Sequence, residues 1–336
     1  MPVTIVVGGQ KGDEGKGKIA AYLACRDNYD ICVRISGPNA GHTIKCNDNV
    51  LGLATVPSGF INSSSRLLIG RGAFVDAGRL LDEIEKTGLE GTGRLGVDMF
   101  ATVITAEQRE AERADQHLMS GIGSVGTGLG QARIDKIKRR DSLVFAKDIA
   151  ELKPYLSDTT EEIFRVLEKG GKVLLEGDQG YSLSLIHGEY PYVTSRDTTA
   201  STFMGEVGVG PGSVDDVYIV FKPYTTRVAA GPLAEEIKEV PEWYHKDGGE
   251  VGTVSGRKRR IGGFEWENAV KAVKINGATK ICITHMDVFG DIRGHELPAE
   301  AEQFLRKLKE ELEAVYPYPK LSLISYGPEV NEVKEL

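Results

Sequence analysis

The sequence predicts an α/β fold built on a large, mostly parallel central sheet flanked by helices, and three observations predict it. Short runs of β-branched and aliphatic residues alternate with segments of helical periodicity along the chain, the pattern of strands joined by crossover helices. Most of the apolar runs end directly in glycine or polar residues, as strands do where a ligand crevice opens at their carboxyl ends. The 41 glycines concentrate in windows 8–17, 121–130, 205–212 and 247–263, where the backbone needs positive φ or must approach something closely.

The elements follow in order. TIVVGG is a β-branched run entering a glycine turn, and residues 15–25 then place Ile19, Ala20, Leu23 and Ala24 at helical spacing. ICVRIS at 31–36 and RLLIG at 66–70 read as strands, and AEQREAERADQHLM at 106–119 as a polar, exposed helix. At 159–169 a Thr-x-x-Glu pattern precedes the apolar positions and predicts a capping box. KVLLEG at 172–177, DVYIVFKPY at 216–224 and KICITHMDV at 280–288 are further buried strands. A helix over 298–315 starts at Pro298 and puts Phe304, Leu305, Leu308, Leu312 and Val315 on one face, with Glu302/Arg306 and Lys307/Glu311 as outer i,i+4 partners. KLSLISYG reads as the final strand. No repeat, low-complexity tract or Pro/Ser linker divides the chain, so the reading is one domain over 1–336 with loop excursions at about 37–50, 120–141 and 247–263.

Composition excludes several classes. A net charge of −8 argues against a duplex nucleic-acid binder, whose affinity comes from neutralising phosphates, so any anion site is local. No apolar run approaches the ~20 residues that cross a bilayer. Cys25, Cys32, Cys46 and Cys282 show no metal-ligand spacing, and MPVTIVVGG lacks signal-peptide features. The expected compartment is the cytoplasm, with no membrane partner.

The first motif is GDEGKGK at 12–18, after a strand and opening a helix. Such a loop converges backbone N–H groups on phosphate oxygens at a helix N-terminus, with Lys16 and Lys18 as full charges. Ile19 occupies the Ser/Thr position that holds Mg²⁺ in a P-loop, so a metal ligand must come from elsewhere. Asp13 is the nearest carboxylate for a hard cation that keeps waters and shares phosphate oxygens. The second motif, GPNAGHT at 37–43, carries His42, a group able to donate to a phosphate oxygen or exchange a proton with it. The Gly41 carbonyl is a possible second metal oxygen. Two basic loops, 126–140 with five cations in its last eight residues and SGRKRR at 255–260, suit carboxylate and phosphate. Asp287, at a strand end, has the two acceptor oxygens that one edge of guanine requires.

With GDEGKGK, NAGHT at 39–43, Arg139-Arg140, EGDQG at 176–180, YPYVTS at 190–195, TTRVAAGP at 225–232, SGRKRR, THMD at 284–287 and SYGP at 325–328 in this order, the sequence resembles the adenylosuccinate synthetase family in its shorter form. The resemblance implies a P-loop-like GTP-binding ligase fold and condensation of IMP with L-aspartate, driven by GTP through 6-phosphoryl-IMP, in the AMP branch of purine biosynthesis. It implies Asp13 as the base that also binds Mg²⁺, with Gly41 as the second metal ligand, His42 as the acid and Lys16 as a charge on the transferred phosphate. Gly12, Glu14, Gly15, Gly17, Lys18, Thr43, Arg259, His285, Asp287, Ser325 and Gly327 fall on the GTP side. Asn39, Ala40, Thr127, Arg139, Gln179, Thr194, Val228 and Arg257 fall on IMP, Arg139 from the neighbour in a homodimer. Thr253, Val254, Ser255, Gly256 and Arg257 form the aspartate loop.

The chain departs from the common family pattern in places: Lys11 for Trp, Val125 for an IMP-contacting Thr, His285 for Lys, and Val254-Ser255 for two threonines. The alternative from another class is a GTP-binding regulatory module that hydrolyses GTP without ligation, against which Ile19 counts.

Overall fold

A computed structural model describes residues 3–47, 49–228, 230–239, 252, 256–293 and 296–336. Its centre is a ten-stranded sheet in the spatial order Leu156–Ser157, Leu95–Asp98, Arg66–Ile69, Ile31–Arg34, Val173–Glu176, Val3–Gly8, Val214–Phe221, Lys280–Ile283, Lys320–Ser325 and Val333–Glu335. All neighbours pair in parallel except the last two. Val3–Gly8 lies mid-sheet with every residue buried, which explains why its run is apolar apart from Thr4: a central parallel strand is covered on both faces. The expected strands over 31–36, 66–70, 172–177, 216–224, 280–288 and KLSLISYG all enter this sheet, each shorter than its motif; the tails after Phe221, Ile283 and Ile324 turn into the site.

Helix Lys16–Arg26 buries Ile19, Ala20, Leu23 and Ala24, as its spacing predicts. Residues 106–119 are not one exposed helix. The α-helix Ala106–Ala114 ends where Asp115 turns extended, a π-turn covers His117–Ile122, and Gln108 and Glu112 are buried. The capping box sits here, between Thr105 and Gln108. Helix Thr159–Glu168 is instead capped by Asp158, whose side chain accepts from the Glu161 amide, because aspartate one residue earlier can reach the same donor. The helix predicted over 298–315 is α-helical over Ala299–Leu308 and passes into a π-turn at Lys309–Glu313. Its apolar face packs as expected, but Lys307 lies over the Trp266 ring at 4.3 Å.

Candidate active site

The glycine loop after Val3–Gly8 is held open by its own geometry. Gly12, Asp13 and Gly15 have φ of 84°, 63° and 82°; the two glycines adopt this freely, whereas Asp13 is strained there. Glu14 explains the strain. Its buried carboxylate accepts the amides of Gln10 at 3.0 Å and Gly12 at 2.9 Å and pairs with Lys16 Nζ at 2.6 Å. The Glu14 side chain therefore turns inward and shapes the loop, which leaves its backbone as the part that can face GTP. The same loop is bolted to the segments that follow the strands Lys280–Ile283 and Lys320–Ser325. Thr284 Oγ1 donates to the Glu14 carbonyl at 2.6 Å, and Lys18 Nζ donates to the carbonyls of Gly327 at 2.7 Å and Glu332 at 3.0 Å. Burial pushes Lys18 down to about 8 despite the nearby Glu332 and Asp287.

His42 begins the strand His42–Cys46 of a hairpin with Asn49–Leu53, where the motif reads as loop. A Cβ on Gly17 would sit 2.5 Å from the His42 Cβ, so glycine at 17 lets the helix and the histidine lie against each other. His42 Nδ1 bonds to Glu176. The other Glu176 oxygen accepts the Ser58 amide at 2.7 Å, while the oxygen on His42 also accepts from the Ser58 hydroxyl at 2.6 Å and lies 3.5 Å from Arg34 Nη1. Burial and then Arg34 push the imidazole down to about 4, outweighing the pull of Glu176. Burial alone would raise Glu176, but Arg34 and His42 outweigh it and hold it below the usual carboxylate range. The consistent assignment is a neutral imidazole donating from Nδ1 to an ionised carboxylate, with the other ring nitrogen carrying a lone pair.

Asp13 and His42 line one cavity of about 1130 Å³. Asp13 Oδ1 accepts from Arg259 Nη2 at 2.7 Å. Gly12, Gly15, Lys16, Gly17 and Lys18 line the same space, together with Thr43, His285, Asp287, Ser325 and Gly327. Asn39, Ala40, Thr127, Gln179, Thr194 and Val228 line it too. Thr127 Oγ1 is buried without a hydrogen-bond partner, whereas the Ser124 hydroxyl is engaged by Glu112 at 2.6 Å. Thr127 is thus the available hydroxyl beside Val125. Arg257 reaches the cavity and donates to the Gly123 carbonyl at 2.8 Å. Gly256 is exposed and lies off the cavity wall, and Arg139, at φ 55° beyond helix Leu129–Ile137, is exposed outside it. Thr253, Val254 and Ser255 lie outside the described residues.

Two residues went unassigned by sequence. Lys11 is fully buried and pairs with Glu265 at 2.8 Å and with Glu189, which also binds Arg227 at 2.7 Å; its substitution at a Trp position was the only signal. Arg133 lines the cavity and stands out in sequence only as one cation of a basic run. For a metal, the wall offers the Asp13 carboxylate and the Gly41 carbonyl, both hard oxygens, and the described residues hold no cluster of three ligating side chains. That donor set fits an ion held partly by waters and phosphates.

A sequence profile of the adenylosuccinate synthetase family matches residues 5–148 and 143–294. The chain belongs to the adenylosuccinate synthetase family. Family members from Methanococcus vannielii (41% identical) and Methanocaldococcus jannaschii (43%) align with 100% of this chain and with 99% and 97% of their own lengths. The fold is the family's: a fully ligated adenylosuccinate synthetase from Plasmodium falciparum superposes with a TM-score of 0.88 at 22% identity, covering 100% of both chains. A cyanophage S-2L succinoaminodeoxyadenylate synthetase bound to dGMP and dATP matches with a TM-score of 0.84 at 26% identity, over 99% of this chain and 95% of that one. Membership makes this chain a ligase.

Proposed function

We infer that this chain condenses IMP with L-aspartate to adenylosuccinate, using GTP and releasing GDP and phosphate. The observation that carries the residue roles is that Asp13 and His42, from separate elements, share one cavity with the guanine-side and IMP-side residues. Asp13 takes the N1 proton of IMP so that the 6-oxygen attacks the γ-phosphorus, with GDP leaving. The aspartate amine then displaces phosphate from 6-phosphoryl-IMP. Arg259, now on Asp13, moves its fork to incoming phosphate or carboxylate, freeing the base. Lys16, fixed by Glu14, presents its charge beside the loop, and His42 donates to the transferred group once protonated. Such positioning and charge stabilisation supply most of phosphoryl-transfer catalysis.

Asp13 and Gly41 would hold Mg²⁺, whose charge neutralises the triphosphate when bound. Asp287 reads guanine, flanked by His285, Ser325 and Gly327, and Arg257 with residues 253–256 receives aspartate. Arg139, exposed past its helix, serves the IMP phosphate of a partner in a homodimer. The whole chain acts as one unit, and its four free cysteines suit a reducing cytoplasm. No helix among the described residues is long and apolar enough to cross a membrane. The regulatory-module alternative lacks its metal hydroxyl, since Ile19 is buried in the core. The test is phosphate release with GTP, omitting IMP and aspartate in turn, alongside direct detection of adenylosuccinate. Full turnover needs all three, and equal turnover without IMP overturns the ligase reading.

A further inference from the structure

We propose that Arg133 is a phosphate-binding residue supplied in cis to the mononucleotide substrate, and that it sets the preference for nucleotide over nucleoside; this rests on the ligase reading above. Helix Leu129–Ile137 buries Leu129 and Ala132 against Phe74 and Ile104. Arg133 follows Leu129 by four residues, about 6 Å along the same face. A Cβ placed on Gly37 would lie 2.7 Å from Leu129 and 3.1 Å from Asn39 Oδ1, so this face runs past the Asn39 end of the cavity. Asn39 Nδ2 reaches Thr194 Oγ1 at 3.4 Å, while Asn39 Oδ1 and Thr127 Oγ1 are both buried without partners.

Arg133 itself lines the cavity, with Nε and Nη2 shut from solvent and unpartnered. The nearby carboxylates are already engaged: Asp178 and Glu206 bind Arg196 at 2.6 and 3.0 Å. Lys136 is the other neighbouring cation, held to Thr102 at 3.0 Å. The guanidinium is instead placed by the Phe74 ring, 4.6 Å from its centre. Two adjacent N–H donors of one fork, desolvated, pre-positioned and lacking an anion, match two oxygens of a phosphate monoester. The unpartnered Thr127 hydroxyl, which lines the same cavity, supplies a further donor to the same group. Burial and the Arg196 charge push Arg133 down to about 10, so it remains a cation at neutral pH.

The experiment compares the full-length enzyme with Arg133→Gln and Arg133→Lys, measuring KM and kcat for IMP, GTP and aspartate, kcat/KM for inosine, and calorimetric binding of IMP and inosine. Losing charge-assisted hydrogen bonds raises the IMP KM and Kd roughly 10- to 100-fold in Arg133→Gln, with kcat/KM for inosine and the KM values for GTP and aspartate unchanged. Arg133→Lys restores part of the loss. An unchanged IMP KM, an equal fall with inosine, or a rise confined to aspartate overturns the proposal. A wild-type enzyme that forms no adenylosuccinate overturns the ligase reading instead, and calorimetry then still decides Arg133.

Discussion

His42 is neutral, burial holding it down to about 4, and the charge of a bound triphosphate acts against that burial. One net negative charge about 4 Å from the ring is worth about 4 kcal/mol at an effective dielectric near 20, and that is roughly 3 units of pKa. The imidazole then rises to near 7. Binding a non-hydrolysable GTP analogue should therefore take up close to one proton at pH 6 and little at pH 8. Calorimetry in buffers of different ionisation enthalpy reads that uptake directly, and His42→Asn supplies the blank. A binding heat independent of buffer at pH 6, or an uptake that persists in the variant, refutes the reasoning. On the proposed role of His42, this makes the acid conditional: Glu176 orients the ring beforehand, and the nucleotide completes it by bringing the charge that protonates it.

Asp13→Asn removes the base and should lower kcat for adenylosuccinate formation by about 10²- to 10⁴-fold, checked by product formation under saturating substrates; a loss below tenfold would count against the role. Stability should also depend on His42. Its folded value of about 4 lies below the ordinary imidazole value of 6.5, so the unfolded chain binds the proton first as pH falls. The contribution is present above pH 6.5 and disappears between there and about 4, amounting to about 3 kcal/mol. Denaturant unfolding at pH 7 and pH 4 should show His42→Asn losing about 3 kcal/mol less than wild type across that interval.

The sheet was legible because its strands are β-branched runs bounded by glycine, and a central parallel strand such as Val3–Gly8 has no polar face to blur the signal. The hairpin carrying His42 was not. Its second strand, Asn49–Leu53, is largely exposed and contains a glycine, so no apolar alternation marks it. Two-residue strands such as Phe74–Val75 are too short to show a period. In the site, the glycine loop and NAGHT announced themselves by local spacing, whereas the partner of His42 lies 134 residues away at Glu176. Glu14 shows the opposite difficulty: its neighbours in sequence are all functional candidates, yet its charge closes the loop on itself. Arg133 was hidden in a run of cations that sequence cannot rank, and only burial separates it from exposed Arg139.

The contacts from Thr284 to the Glu14 carbonyl and from Lys18 to the carbonyls of Gly327 and Glu332 work as a gauge of fixed length. On the roles proposed above, these contacts clamp the segments that face the purine to those that face the terminal phosphate, so a nucleotide seated correctly at one end has its reactive end delivered to a set address. On the same roles, a base that sits askew carries the misalignment down to the γ-phosphorus, and base identity is converted into reaction rate as well as into occupancy.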